Sequence, residues 1–228
     1  MKRSALLIGL FLIATLLVGV QVARADDVSA TKHNLQNLSS LDAAYTGAVD
    51  YGEICVYCHT PHNGNTTVEA PLWNRNVVDT SGNPYTMYSS PTIDMTIASQ
   101  PTGVSLACLS CHDGTLALDV IVNKPQSYTG SDPTGSIVMR TTGDANYAPN
   151  LTQDLSNDHP VSVTYDTTAD TAFNAASGGK VGDTLPLFGT GKDQVQCATC
   201  HNPHNATDQP FLRVANASSA LCTTCHIK

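Results

Sequence analysis

Large aromatic side chains are scarce in this sequence. Aromatic residues make up 6% of its 228 residues, with a single tryptophan, Trp73, and four phenylalanines. The chain is instead rich in Gly, Pro, Thr, Ser, Asn and Asp, a composition that is typical of loops and turns. A chain with so few large apolar residues would struggle to bury a sizeable core by itself. The composition therefore predicts a mostly irregular fold with little secondary structure.

Basic residues are also few. The chain has 11 Lys and Arg against 19 Asp and Glu, which gives a net charge of −8. This acidic balance disfavours a nucleic-acid partner, because phosphate binding depends on Lys and Arg. It suits the solubility of a secreted protein, and the alternative is steering towards cationic partners or metal ions.

Long apolar runs are absent except at the N-terminus. Residues 5–20 are apolar, follow two basic residues and precede a small-x-small site at residues 23–25. This pattern predicts a secretory signal peptide over residues 1–25, and its removal leaves a net charge of −11, since three of the 11 basic residues are lost. An uncleaved anchor is disfavoured, because the run is shorter than a comfortable bilayer span. We expect an exported, soluble chain that does not span a membrane.

No cysteine lies outside four copies of one motif. The eight cysteines occur as Cys-x-x-Cys-His at residues 55–59, 108–112, 197–201 and 222–226. Two thiols at this spacing can each form a thioether with a haem vinyl group, and the histidine that follows can ligate the iron. Redox disulfides or two zinc clusters are the alternatives, but neither explains the histidine in all four copies.

The sequence therefore predicts four covalently attached haems c, which would supply the missing apolar mass while the polypeptide wraps around them. The expected attachment residues are Cys55, Cys58, Cys108, Cys111, Cys197, Cys200, Cys222 and Cys225.

The number of histidines matches the number of ligands that four irons need. The expected proximal ligands are His59, His112, His201 and His226. Four more histidines remain as the expected distal ligands: His33, His62, His159 and His204. Met87, Met95 and Met139 are competing ligands, but nothing in their surroundings favours them. Full bis-histidine ligation would leave no open iron position for a substrate, so we expect electron transfer rather than catalysis.

The chain contains two copies of one unit. Each copy has a lone histidine, a Cys-x-x-Cys-His-x-Pro-His-Asn element, an apolar step that includes proline, and a plain Cys-x-x-Cys-His. This repeat predicts a dihaem module at residues 26–112, a polar loop or small β insertion at 113–158, and a second dihaem module at 159–228.

The spacing within His-x-Pro-His also carries a prediction. Its two histidines are three residues apart, so on a helical turn they would leave the same side of the chain. They could not then reach opposite faces of one iron. His62 and His204 are therefore expected to ligate a haem other than the one attached beside them.

Local patterns outside the motifs are weaker. We expect short helices beside the haem motifs and minor strands at residues 116–122 and 161–165. Residues 130–135, 141–150 and 178–184 are rich in turn formers and predict loops.

Several of these stretches resemble a known family. The doubled motifs, Cys-x-x-Cys-His-Thr-Pro-His-Asn at residues 55–63, Pro-Leu-Trp-Asn at 71–74 and Asp-His-Pro-Val at 158–161 resemble the doubled-CXXCH multihaem cytochromes of anaerobic, metal-reducing bacteria. With four haem motifs and an export signal, the chain is similar to the tetrahaem outer-membrane cytochrome E type. Those proteins polymerise into extracellular filaments, in which a histidine of one subunit ligates a haem of the next.

The resemblance implies a function and partners. The chain would be the electron-carrying subunit of an extracellular filament, and its partners would be copies of itself, other cytochromes or extracellular electron acceptors. His33, close to the mature N-terminus, is the candidate ligand for a neighbour's haem. The alternatives are a soluble periplasmic tetrahaem shuttle and a multihaem reductase, which would need a vacant iron position.

Overall fold

The structure is a computed structural model that describes residues 28–140, 150–205 and 207–227. The predicted signal peptide, residues 1–25, and nearly all of the predicted loop at 141–150 lie outside the described residues. Within the described ranges, no helix is long and apolar enough to cross a membrane.

Helices in the described chain are short. The α-helices are α1 (Leu38–Leu41), α2 (Gly103–His112), α3 (Cys197–Cys200) and α4 (Ala220–Cys225). The 3-10 helices are Val28–Ala30, Leu35–Asn37, Ala43–Tyr45, Cys55–Tyr57 and Ala217–Ser219. Each of the four Cys-x-x-Cys-His motifs begins in one of these helices. The prediction of a mostly irregular fold with short helices at the haem motifs is confirmed.

Strands are equally short. They are β1 (Val163–Thr164), β2 (Ala176–Ser177), β3 (Lys180–Val181), β4 (Leu185–Pro186) and β5 (Gln194–Val195). β1 pairs antiparallel with β5, and β2, β3 and β4 form an antiparallel meander. The minor strands of the predicted fold are therefore present.

The sequence placed some of these elements correctly and others wrongly. The strand predicted at residues 161–165 is present as β1, but residues 116–122 form only a single bridge, from Ala117 to Val138. Residues 130–135 contain no helix or strand, as predicted. The predicted loop at 178–184 instead contains β3, because Gly178 and Gly179, with φ angles of +58° and +74°, make a two-residue hairpin turn.

The apolar core is divided into four small clusters. Their buried members are Met95, Val163, Tyr165, Val181 and Leu187; Leu38, Tyr45, Leu118 and Met139; Tyr51, Val56 and Tyr57; and Tyr85, Leu109 and Leu155. Met87 packs against the last cluster. All three methionines that could compete as iron ligands are therefore used in apolar packing.

A buried polar network joins the second and third motifs. The amide of Gln196 accepts hydrogen bonds from the hydroxyls of Ser105 and Ser162 and donates to Thr102. The backbone N–H of Cys197 donates to the Ser105 hydroxyl at 3.1 Å. Because Ser105 lies on α2 and Cys197 begins α3, this network holds two attachment motifs from different repeats against each other.

Candidate haem-binding site

Three of the four motifs have the same local form. A helical turn contains the first cysteine, and the motif histidine follows it in extended backbone. His201 and His226 have ψ angles of 142° and 135° after α3 and α4, and His59 forms a β-bridge with Trp73. The second motif differs, because His112 is the last residue of α2.

In these three motifs, one residue from elsewhere in the chain donates two hydrogen bonds to the turn. Its backbone N–H donates to the carbonyl of the second cysteine, and its side chain donates to the carbonyl of the residue after the first cysteine. We call this arrangement the carbonyl clamp. The clamps are Asn74 on Cys58 and Val56 (2.8 and 2.7 Å), Arg213 on Cys200 and Ala198 (2.8 and 2.8 Å), and Asn174 on Cys225 and Thr223 (2.8 and 3.1 Å).

The carbonyl clamp has a direct consequence for haem attachment. A helical segment of three to six residues is too short to hold its own shape, because helix nucleation is unfavourable. The clamp supplies the missing bonds from outside the turn. It thereby fixes the directions in which the two thiols and the histidine leave the chain.

The clamp residues are not among the site residues predicted from the sequence. Asn74 and Arg213 both stand three residues after the proline of the apolar step, so aligning the two repeats could have found them. Their different residue types hide the shared role. Asn174 comes from a segment with no motif, and no sequence signal marks it.

Four imidazoles are oriented by proline carbonyls. The Nδ1 atom lies 2.7 Å from the carbonyl oxygen of Pro71 in His59, 2.9 Å from Pro210 in His201, 3.0 Å from Pro160 in His159 and 3.3 Å from Pro203 in His33. A carbonyl only accepts, so Nδ1 carries the proton in each bond. The neutral ring then presents Nε2 as a free ligand atom, which is the form that binds a metal.

Three pairs of histidines stand at similar separations. The ring centroids are 6.0 Å apart for His59 and His204, 6.2 Å for His33 and His112, and 6.5 Å for His159 and His226. Two imidazoles on opposite sides of one metal ion have centroids roughly 6 Å apart, since the metal–nitrogen bond is about 2 Å and the centroid lies about 1 Å beyond. The three pairs fit two axial ligands of one iron. Each joins one motif histidine to one of the other four histidines.

His33 is partly buried against residues of its own chain. Its ring stacks on Phe211 with centroids 4.3 Å apart, next to His112. Burial lowers the pKa of His33, and the nearby His112 and His204 lower it further against the opposing hydrogen bond to Pro203. This keeps the imidazole neutral. The placement argues against the predicted role of His33 as the ligand of a neighbour's haem, because an in-chain partner already stands at ligand separation.

The predicted helical geometry of the His-x-Pro-His element needs a correction. Residues 59–62 are not helical, so the prediction that His59 and His62 leave one side of a helical turn is wrong. The structure nevertheless places His204 beside His59 in the other repeat, away from the ring of His201 in its own motif.

Two of the eight histidines remain outside these pairs. His62 and His201 are both exposed. In the described part of the chain, neither imidazole makes a contact with another aromatic or imidazole ring. The loop that carries His62 is held by Asn123, whose side chain donates to the carbonyls of His62 and Asn63 at 3.3 and 3.1 Å.

Cysteines of successive motifs lie close to each other. All eight lie in the described part of the chain. Ser105 holds Cys197 against the helix that carries Cys108, and the two cysteines lie within electrostatic range of each other. Cys58 lies within electrostatic range of Cys111, and Cys200 within that of Cys225. The attachment motifs therefore adjoin in chain order from the first to the fourth.

The comparisons with known proteins agree with this chemistry. Residues 190–228, which contain the third and fourth motifs, match the family model described as doubled CXXCH motif. No curated protein matches the sequence. The four motifs and this match indicate covalently bound haem c, and they support a multihaem c-type cytochrome that transfers electrons.

We predict that Asn174→Ala lowers the amount of haem attached at the fourth motif. The variant removes the side-chain donor to Thr223 and Thr224, and each such bond contributes about 1 kcal/mol. The secreted variant should contain a larger fraction of chains that lack one haem, measured by intact mass. Asn83→Ala is the control, because the exposed Asn83 side chain makes no clamp. Equal haem content in the two variants would contradict the role of the clamp.

Proposed function

We propose that this protein is a tetrahaem c-type cytochrome that transfers electrons through four bis-histidine haems. The observation that supports this most directly is the set of three imidazole pairs with centroids 6.0 to 6.5 Å apart. Bound haem supplies reversible one-electron oxidation and reduction of its iron. The chain supplies attachment, ligation and spacing.

The residues that would hold each haem follow from the pairs. His59 and His204 serve the haem at Cys55 and Cys58, and His33 and His112 serve the haem at Cys108 and Cys111. His159 and His226 serve the haem at Cys222 and Cys225. His201 would ligate the haem attached at Cys197 and Cys200. His62 is the remaining histidine for the second axial position of that iron.

Ligation of this kind favours electron transfer over catalysis. A multihaem reductase needs an iron with one open position. Eight histidines are enough to fill both axial positions of four irons, and the methionines are used in apolar packing. Bis-histidine ligation also gives a lower potential than Met/His ligation. We infer that the protein is an electron carrier and not an enzyme.

The test is the variant His204→Ala. We expect one of the four irons to lose an axial ligand and become high-spin, so about a quarter of the iron should show a high-spin electron paramagnetic resonance signal. The control Met87→Leu should stay wholly low-spin, because Met87 packs in an apolar cluster. A wholly low-spin spectrum for His204→Ala would contradict the pairing with His59.

We further propose that the protein is exported and forms the subunit of an extracellular cytochrome filament. The support is the resemblance noted above together with the exposed His62, which has no imidazole partner in the described part of its own chain. Leu72 and Val122, which are 54% and 44% exposed, come from segments bound to the loop that carries His62. An exposed ligand flanked by exposed apolar residues suits a contact with a second copy.

This arrangement names His62 as the ligand that crosses to a neighbour. It would complete the iron at His201 of the next copy, in place of the role first expected for His33. Electrons would then pass to other copies, to other cytochromes or to extracellular acceptors. The competing proposal is a periplasmic shuttle, in which His62 reaches His201 of its own chain.

His62→Ala separates the two proposals. We expect the variant to be secreted with four haems and to remain as single subunits by electron microscopy, whereas wild type forms filaments. Thr66→Ala, an exposed position in the same loop, should assemble normally. Filaments of His62→Ala would overturn the proposed crossing ligand. A monomeric wild type with four low-spin haems would establish the shuttle instead.

A further inference from the structure

Arg75 is the largest fully buried side chain in the described chain, with 1% of its surface exposed. Its guanidinium binds only neutral groups: it donates to the backbone carbonyls of Leu118 (2.8 Å), Val120 (3.2 Å), Ser110 (3.2 Å) and Ala117 (2.6 Å). Within the described ranges, no carboxylate forms an ion pair with it and its Nε–H has no hydrogen-bond partner. Burying a charge without an oppositely charged partner costs free energy.

The position of Arg75 links the first two attachment motifs. The preceding residue, Asn74, forms the carbonyl clamp on the first motif. Arg75 itself binds the carbonyl of Ser110, which lies between the two cysteines of the second motif. The backbone N–H of Asn74, the residue next to Arg75 in the chain, donates to the Cys58 carbonyl at 2.8 Å. The positive charge therefore lies close to both motifs.

A buried charge of the opposite sign lies close by. Asp119 has no exposed surface, and it is flanked in sequence by two residues whose carbonyls bind Arg75. One of its carboxylate oxygens accepts from the Val49 N–H at 3.1 Å, and the other has no partner in the described chain. Asp119 and Arg75 are thus held separately by backbone groups and not by each other.

We propose that Arg75 and Asp119 set the reduction potentials of the haems attached at the first two motifs, an inference that rests on the proposed function. Reduction adds a negative charge at the iron, so a nearby positive charge favours the reduced form and a nearby negative charge disfavours it. Both groups are shielded from water, where the low dielectric strengthens their effect and salt screens it little.

Among the described residues of the second repeat, no Lys, Arg, Asp or Glu side chain is buried. The residue that matches Arg75 there is Val214, because Arg213 occupies the position of Asn74. Arg213 is only partly buried, and its Nε–H donates to a single carbonyl, that of Ala198. The charged pair therefore makes the first two haems electrostatically different from the last two. Such a difference in reduction potential would make an added electron more stable on some haems of one subunit than on others.

The test is a potentiometric titration of the haem-loaded protein, followed by visible absorbance. We expect Arg75→Gln to lower the equilibrium constant for reduction of at least one haem by about tenfold or more, which corresponds to about 59 mV for one electron. Asp119→Asn should raise it, because the amide oxygen can still accept from Val49 while the charge is gone. Arg75→Lys should stay close to wild type, since it keeps the charge.

The control is Arg140→Gln, which removes an exposed charge paired with Asp42. It should shift no haem more than about twofold, because surface charges are screened. Shifts of the same sign in Arg75→Gln and Asp119→Asn, or shifts no larger than the control, would overturn the inference. Asp119→Asn decides the question by itself if loss of four hydrogen bonds prevents Arg75→Gln from folding.

Failure of the inference is distinguishable from failure of the proposed function. Intact mass and the spin state report haem content and ligation before any titration. A wild type that lacks four low-spin haems would refute the proposed function. Four low-spin haems whose reduction potentials are unchanged when either buried charge is removed would refute only the role of Arg75 and Asp119.

Discussion

The carbonyl clamp on the Cys-x-x-Cys turn is the interaction on which the rest of this structure depends. Three short helical turns carry cysteines and end at a histidine, and each lacks the length to be stable alone. In each case a distant residue satisfies two of the turn's carbonyls with one backbone and one side-chain donor. The chemistry of attachment needs two thiols and one imidazole in fixed relative positions. The clamp provides that fixation without regular secondary structure.

The fold is held together across the two repeats. His204 of the second repeat stands beside His59 of the first, and the backbone N–H of Cys197 donates to Ser105 on the helix that carries Cys108. The buried Gln196 network joins the helices that carry these cysteines. Four small apolar clusters would give limited stability alone. Haem bound across these contacts would add apolar surface where the polypeptide has little.

The sequence was most informative where chemistry dictates spacing. Thioether formation fixes the distance between the cysteines and the position of the proximal histidine, so these residues could be identified directly. The scarcity of aromatic residues correctly predicted a mostly irregular fold. Tertiary contacts were not available in the same way. Nothing in the sequence near His33 indicates that its ring stacks on Phe211. The local sequence therefore could not show whether His33 contacts its own chain or a neighbouring copy.

The clamp residues and the buried charges illustrate the same limit. Asn74 and Arg213 serve one role with different side chains, because any well-placed N–H can donate to a carbonyl. Arg75 and Asp119 are of residue types that usually lie at the surface, yet both are buried. Their surroundings are backbone carbonyls and N–H groups, which leave no pattern in the sequence.

The most direct test of this account is an experimental structure of the haem-loaded protein that resolves the four irons. We expect one iron between His59 and His204, a second between His33 and His112, and a third between His159 and His226. This expectation would be contradicted by an iron at any of these motifs whose second axial ligand is a methionine, water or a different histidine.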